Sequence, residues 1–140
     1  MLYFAYGSNL HLGQMRHRCR QSQLIGWAVL PDYRLVERGF ADIEPKKGVK
    51  VYGAVFEITT DDLKALDIYE GFPNGYVRRW VKVTFENGNT LYALVYEMTP
   101  QYRKRLNGQK YSVQYRLVCA HGAEKCNLPV NEFKGGSHES

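Results

Sequence analysis

Leu2-Tyr3-Phe4-Ala5-Tyr6-Gly7-Ser8-Asn9-Leu10 is the stretch from which the fold reads outward. Leu2 to Tyr6 is a short run of apolar, strand-forming residues, and Gly7 stops it. Ser8 and Asn9 are both good helix N-caps, so the spacing predicts a helix from here through His11 to about Arg18. A strand that turns through glycine into a helix start presents free backbone N–H groups beside the positive end of a helix. Such a turn is a seat for a carboxylate or an oxyanion, although a plain N-cap accounts for the same residues. The phosphate-binding fingerprints G-x-G-x-x-G and G-x-x-x-x-G-K-[ST] are both absent, which disfavours dinucleotides and nucleoside triphosphates.

Beyond this turn, strands are predicted over Leu24–Val29, Tyr33–Glu37 and Val49–Ile58. Thr59 or Thr60 then caps a helix through Leu63, Leu66 and Tyr69, with Asp61 and Asp62 well placed in its first turn. Gly71 and Pro73 end it. Tyr76–Phe85 and Thr90–Met98 read as two strands around Asn87-Gly88, a strong hairpin signal. Ser112 to about Ala120 is one more short helix. Strands with hairpin connections and two or three helices predict an α+β domain, a mixed or closed sheet with helices packed on it.

The chain has 140 residues, 44% of them hydrophobic, which suits a single domain, expected over residues 1–134, with Gly135–Ser140 as a disordered tail. No apolar run approaches the ~20 residues of a membrane span, and no signal-type segment is present, so neither a membrane partner nor secretion is expected. Cys19, Cys119 and Cys126 form an odd, unpaired set, which fits reduced thiols in a cytoplasmic protein. The net charge of +5 is compatible with nucleic acid but equally favours a small anionic substrate. Arg16-His17-Arg18-Cys19-Arg20 and Arg103-Lys104-Arg105, with Tyr102 and Tyr111 nearby, read as a solvated helix end and a charged loop. No nucleic-acid-binding motif accompanies them, and no nucleic-acid partner is expected. The Cys and His spacings match none of the usual structural zinc patterns, and no G-x-S-x-G elbow or Cys-His nucleophile motif is present. No metal is therefore expected.

One carboxylate stands in an unusual place. Leu63, Leu66, Asp67 and Glu70 occupy positions i, i+3, i+4 and i+7 of the predicted helix, which is one face. The two leucines make it the core-facing side, so Glu70 points inward or into a cleft. It also lies in the last turn, where the helix dipole opposes negative charge. Desolvation and dipole together raise its pKa, as a general acid/base working near neutrality requires. Asp67 shares the face as a rival or as a like-charged neighbour. The same pattern also suits a glutamate at a frayed helix end that reaches solvent.

The nine-residue opening resembles the N-terminal signature of the gamma-glutamylcyclotransferase family. Three further matches follow in the family's order: Gly53-Ala54-Val55-Phe56, then Leu66-Asp67-x-Tyr69-Glu70-Gly71 with Tyr76-Val77, then Tyr115 with Gly122-Ala123 and Leu128-Pro129. Together they span about Leu2 to Phe133. Ser8-Asn9 after the first Tyr-Gly is similar to the branch acting on gamma-glutamyl amino acids. The resemblance implies a small mixed β-barrel flanked by a few helices. It also implies conversion of a gamma-glutamyl amide into 5-oxoproline and a free amine, with no cofactor. By position, Glu70 becomes the general acid/base. Tyr3, Phe4, Ala5, Tyr6, Gly7 and Ser8 become the wall that holds the glutamyl group, and Tyr115 a hydrogen-bonding partner of the substrate. A small-molecule substrate is then the expected partner, with the chain a monomer or homodimer. A non-catalytic sensor using the same pocket is the alternative.

Overall fold

A computed structural model describes residues 1–126, Leu128 and Phe133. The expected tail at Gly135–Ser140, and Pro129 of the C-terminal motif, lie outside the described residues. Among those described, five strands close a barrel in the order β1 (Leu2–Ala5), β3 (Phe40–Glu57), β2 (Gln23–Arg38), β4 (Tyr76–Phe85), β5 (Thr90–Met98). Neighbours run antiparallel except β1 and β5, whose parallel contact at Tyr3 and Leu94 closes the ring. Phe4, Ile43, Val55, Val83 and Val95 are fully buried and fill its interior. Gly53 sits where a Cβ would come within 2.5 Å of both the Phe4 ring and the Ala5 carbonyl, so only glycine lets β1 and β3 approach this closely. The α+β barrel is the architecture the resemblance implied.

Several elements differ from expectation. Strand β2 runs unbroken through Pro31-Asp32, where two separate strands are predicted. An irregularity there sets Asp32, at φ 63°, opposite the extra residues Lys46–Val49 of β3, and the Asp32 carboxylate accepts the Gly48 N–H at 3.0 Å. Proline is tolerated because the ladder is interrupted at that point. The strand predicted over Val49–Ile58 accordingly extends back to Phe40 and ends at Glu57. β2 and β3 thus form one long bent hairpin whose tip, at Gly39, donates to the Gln109 carbonyl at 2.8 Å.

The helix predicted from Ser8 or Asn9 divides in two. Ser8–Leu10 form one 3-10 turn, and α1 (Leu12–Arg18) starts after His11, whose imidazole accepts the Gln14 N–H. The second helix, α2 (Thr60–Glu70), begins with Thr59 and Asp62 capping each other reciprocally and ends at Gly71 in the left-handed conformation. Helix α3 (Pro100–Leu106) replaces the expected charged loop; Thr99 caps it and Pro100 takes the first turn, where its missing N–H costs nothing. Helix α4 (Val113–Lys125) starts on the Ser112 cap and runs five residues beyond the predicted end at Ala120. At Gly122 a Cβ would lie 2.5 Å from the backbone of Leu10 and His11, so α4 packs directly on the turn after β1.

Candidate active site

The end of β1, the last turn of α2 and the hairpin tip surround a cavity of about 580 Å³. Tyr3, Tyr6, Gly7, Ser8, Glu70 and Tyr115 all line it, although they come from three separate regions of the chain. Phe4 and Ala5, predicted for the same wall, are not on it. Both are almost fully buried, and the Phe4 ring faces Gly53 in the barrel interior. A strand alternates its faces, so Phe4 points away from the side that Tyr3 presents to the cavity.

Glu70 is the acid among the described residues of the cavity wall. No hydrogen bond or ion pair to its carboxylate is found among the described residues. Burial raises its pKa from 4.5 to about 7, while the charge of Arg18 pulls the other way. Its neighbour Asp67, one turn earlier, is held differently. Arg78 donates two hydrogen bonds to it, at 2.8 and 3.0 Å, and the Tyr96 hydroxyl a third at 2.6 Å. Burial alone would raise the Asp67 pKa, but these donors bring it below the ordinary carboxylate value. The rival for the acid/base role is therefore committed to structure.

Tyrosines form most of the remaining wall, and hydrogen bonds fix their orientation. Tyr6 donates to the Tyr96 carbonyl at 2.6 Å and Tyr76 to the Ala41 carbonyl at 2.7 Å. The Ala41 N–H donates in turn to the Tyr115 hydroxyl at 3.1 Å, so the hairpin tip is gripped at both backbone groups of one residue. Beneath it, the fully buried Asp42 accepts from Arg38, Arg103 and the Met98 N–H at 2.6, 2.8 and 2.9 Å. Burial drives the pKa values of Tyr6, Tyr76 and Tyr115 well above 10.0, so they remain neutral. The three thiols are buried and unpaired; burial raises Cys19 and Cys119 to about 12 and Cys126 to about 11, and they act as packing groups.

Residues 3–117 match the family described as gamma-glutamyl cyclotransferase, AIG2-like. The chain belongs to that family. A gamma-glutamylcyclotransferase of Bos taurus is 30% identical over 146 residues, covering 95% of this chain and 75% of its own length. The Homo sapiens gamma-glutamylcyclotransferase is 30% identical over 142 residues, covering 92% and 73%. A solved structure described as a gamma-glutamyl cyclotransferase aligns with a TM-score of 0.79 at 27% identity, covering 99% of this chain and 86% of its own.

Within this cyclotransferase-family site, several residues escaped the sequence reading. Phe40 and Ala41 reach the cavity only because the β2–β3 hairpin bends, and Tyr102 and Arg105 only because α3 exists. The Thr99-Pro100 pair was the available signal for α3. Arg18, read as part of a solvated basic cluster, instead donates to Ser8 and Asn9 and lies over the Tyr69 ring. No helix among the described residues is long and apolar enough to cross a membrane.

Proposed function

We propose that this protein releases 5-oxoproline and a free amine from a gamma-glutamyl amide, with Glu70 as general acid and base. The observation that carries the proposal is a carboxylate on the cavity wall that has no partner among the described residues, its pKa pushed up to about 7 by burial. The ionised form takes a proton from the substrate's α-ammonium group. The freed amine attacks the γ-carbonyl carbon, the new C–N bond closes the lactam, and the carbonyl oxygen becomes an oxyanion. As that oxyanion collapses, the original amide C–N bond breaks. The Glu70 carboxyl gives its proton to the departing nitrogen, and the regenerated carboxylate takes the second proton from the ring nitrogen, leaving the neutral lactam. That proton passes to the released amine, which departs as an ammonium ion, so protons and charge balance and the nucleophile belongs to the substrate.

Holding the glutamyl chain folded is the protein's main task, and well-oriented intramolecular attack gains roughly 7–11 kcal/mol. Backbone amides of Gly7, Ser8 and Asn9, at the head of the 3-10 turn, supply donors for the substrate's negative charge. The aromatic walls exclude water from the reacting centre. Three free, buried thiols support a cytoplasmic setting.

The leaving amine carries a carboxylate. Arg105 lines the cavity, its guanidinium lies 5.6 Å from the Tyr102 ring centroid, and no acid pairs with it among the described residues. A guanidinium so placed suits a carboxylate better than the cationic tail of a polyamine. The test is 5-oxoproline release from gamma-glutamyl-alanine and gamma-glutamyl-ethylamide, whose leaving amines differ only in that carboxylate. Release from alanine's conjugate by wild type, lowered about 10²–10⁴-fold in Glu70→Gln, is expected. Binding without release would sink the acid/base reading in favour of a sensor.

A further inference from the structure

Arg18 is the last residue of α1 and is half-buried. One of its nitrogens donates to the Asn9 side-chain carbonyl at 2.5 Å and to the Ser8 hydroxyl at 3.2 Å. Its guanidinium carbon lies 3.3 Å from the centroid of the Tyr69 ring, and the Tyr69 and Ser8 hydroxyls are 3.3 Å apart. No carboxylate pairs with it among the described residues. A half-buried arginine surrounded by neutral acceptors and a ring is an expensive arrangement unless its charge or its geometry is used.

Both are used. Because Arg18 occupies the Asn9 carbonyl, the Asn9 amide nitrogen must point the other way, where it donates to the Tyr3 hydroxyl oxygen at 3.0 Å. Tyr3 is thereby the acceptor in that bond, and its own hydrogen is left to donate elsewhere. Tyr3 lines the cavity, and no acceptor for this hydrogen is found among the described residues. Burial keeps the phenol protonated at any working pH. At the same time the contact with Tyr69 ties the last turn of α2, and so Glu70, to the turn at Ser8.

We infer that Arg18 is a positioning residue for the reaction: through Asn9 it makes Tyr3 a hydrogen-bond donor into the cavity, and through Tyr69 it registers Glu70 against the Gly7–Asn9 turn. The inference rests on the cyclotransferase reading above. Its charge has a second effect. The groups whose fields couple with Glu70 are Tyr3 from β1, Tyr6 just after it, Tyr76 from β4, Tyr96 from β5 and Tyr115 from α4, all neutral, and Arg18 from α1. Asp67 on α2 is closed off by Arg78, and Arg105 of α3 lines the cavity but is not among the charges that shift Glu70.

The test combines a pH profile with a double-mutant cycle on gamma-glutamyl-alanine turnover. Arg18→Met is expected to lower kcat about 10- to 100-fold and to move the acid limb of kcat/KM to higher pH. Tyr3→Phe is expected to lower kcat without moving that limb, and the two losses are expected to combine to less than their product. Arg18→Lys keeps the charge and loses the fork, so it should hold the limb near wild type while lowering kcat. It also carries the test if Arg18→Met fails to fold. An unmoved limb in Arg18→Met, or strictly multiplicative losses with Tyr3→Phe, would overturn the inference. If wild type releases no 5-oxoproline at all, the cyclotransferase reading has failed first and takes this one with it; normal wild-type turnover with an unmoved limb condemns Arg18's role alone.

Discussion

Asp67 and Glu70 stand one turn apart on the same helix, yet the protein treats the two regions around them in opposite ways. The region facing β4 and β5 offers Asp67 a guanidinium fork and a phenol, so that its charge is satisfied. The region facing the cavity offers Glu70 no donor among the described residues. Burial acts on both, but only at Glu70 does it prevail. Helix position and residue class therefore do not decide which acid is chemically available; the neighbouring strands do, by supplying or withholding cations. An acid kept short of partners is costly to stability, and that cost is what places its pKa where proton transfer works at neutral pH.

Glu70→Gln breaks the contrast most sharply. It keeps the shape, removes the titrating group, and is expected to lower kcat by about 10²–10⁴, measured as 5-oxoproline release, with the far-UV circular dichroism unchanged. The same variant reports on stability. A carboxyl with a folded-state pKa of about 7 and an ordinary value of 4.5 binds its proton more tightly when folded. Wild type therefore loses stability as pH rises through that window, and the loss is complete above about 7. Urea unfolding should show Glu70→Gln more stable than wild type at pH 8 by about 2–3 kcal/mol, and the gap should close near pH 4.

Arg78→Met attacks the other side of the contrast by leaving Asp67 with Tyr96 alone. The pair is partly exposed, so the expected loss is about 1–2 kcal/mol, read by urea unfolding at pH 7. The Asp67 pKa should rise, which carboxyl-resolved NMR would follow, making the two acids more alike. Gly7→Val is the mildest change. A Cβ there would lie 3.0 Å from the Tyr115 hydroxyl and 3.2 Å from Ala41, so it crowds the grip on the hairpin tip. Loss of roughly one hydrogen bond, about 1 kcal/mol, should raise KM several-fold with kcat less affected.

For Glu70, local periodicity reports that its helix face is apolar, with the fully buried Leu66 on it. The same pattern suits a frayed helix end, and the family resemblance is what singles the residue out. The hairpin at Asn87-Gly88 was equally local, with Gly88 at φ 89°. What escaped was set by distant neighbours. Pro31 reads as a strand break unless Lys46–Val49 are known to bulge opposite it. Arg18 reads as a solvated charge unless Tyr69 and Asn9 are known to meet it. Tyr96 reads as an ordinary strand aromatic, and only the β4–β5 register puts it on the same face as Tyr76 at the cavity. The separation of Asp67 from Glu70 was likewise hidden, because it depends on Arg78 in a strand beyond the helix.

The parallel contact between β1 and β5 has a consequence for how activity arises during synthesis and folding. The strand that carries Tyr3 and leads into Gly7 is made first, but its sheet partners lie far along the chain. Contacts of such long sequence separation form late and slowly, because loop-closure entropy must be overcome before they contribute. The site cannot exist in a partly folded barrel: until β5 has been made and docked, Tyr3 has no wall to complete and Glu70 no enclosed cavity to face. Catalytic competence should therefore emerge in step with ring closure, and an early intermediate that retains the Asn87-Gly88 hairpin should be inert.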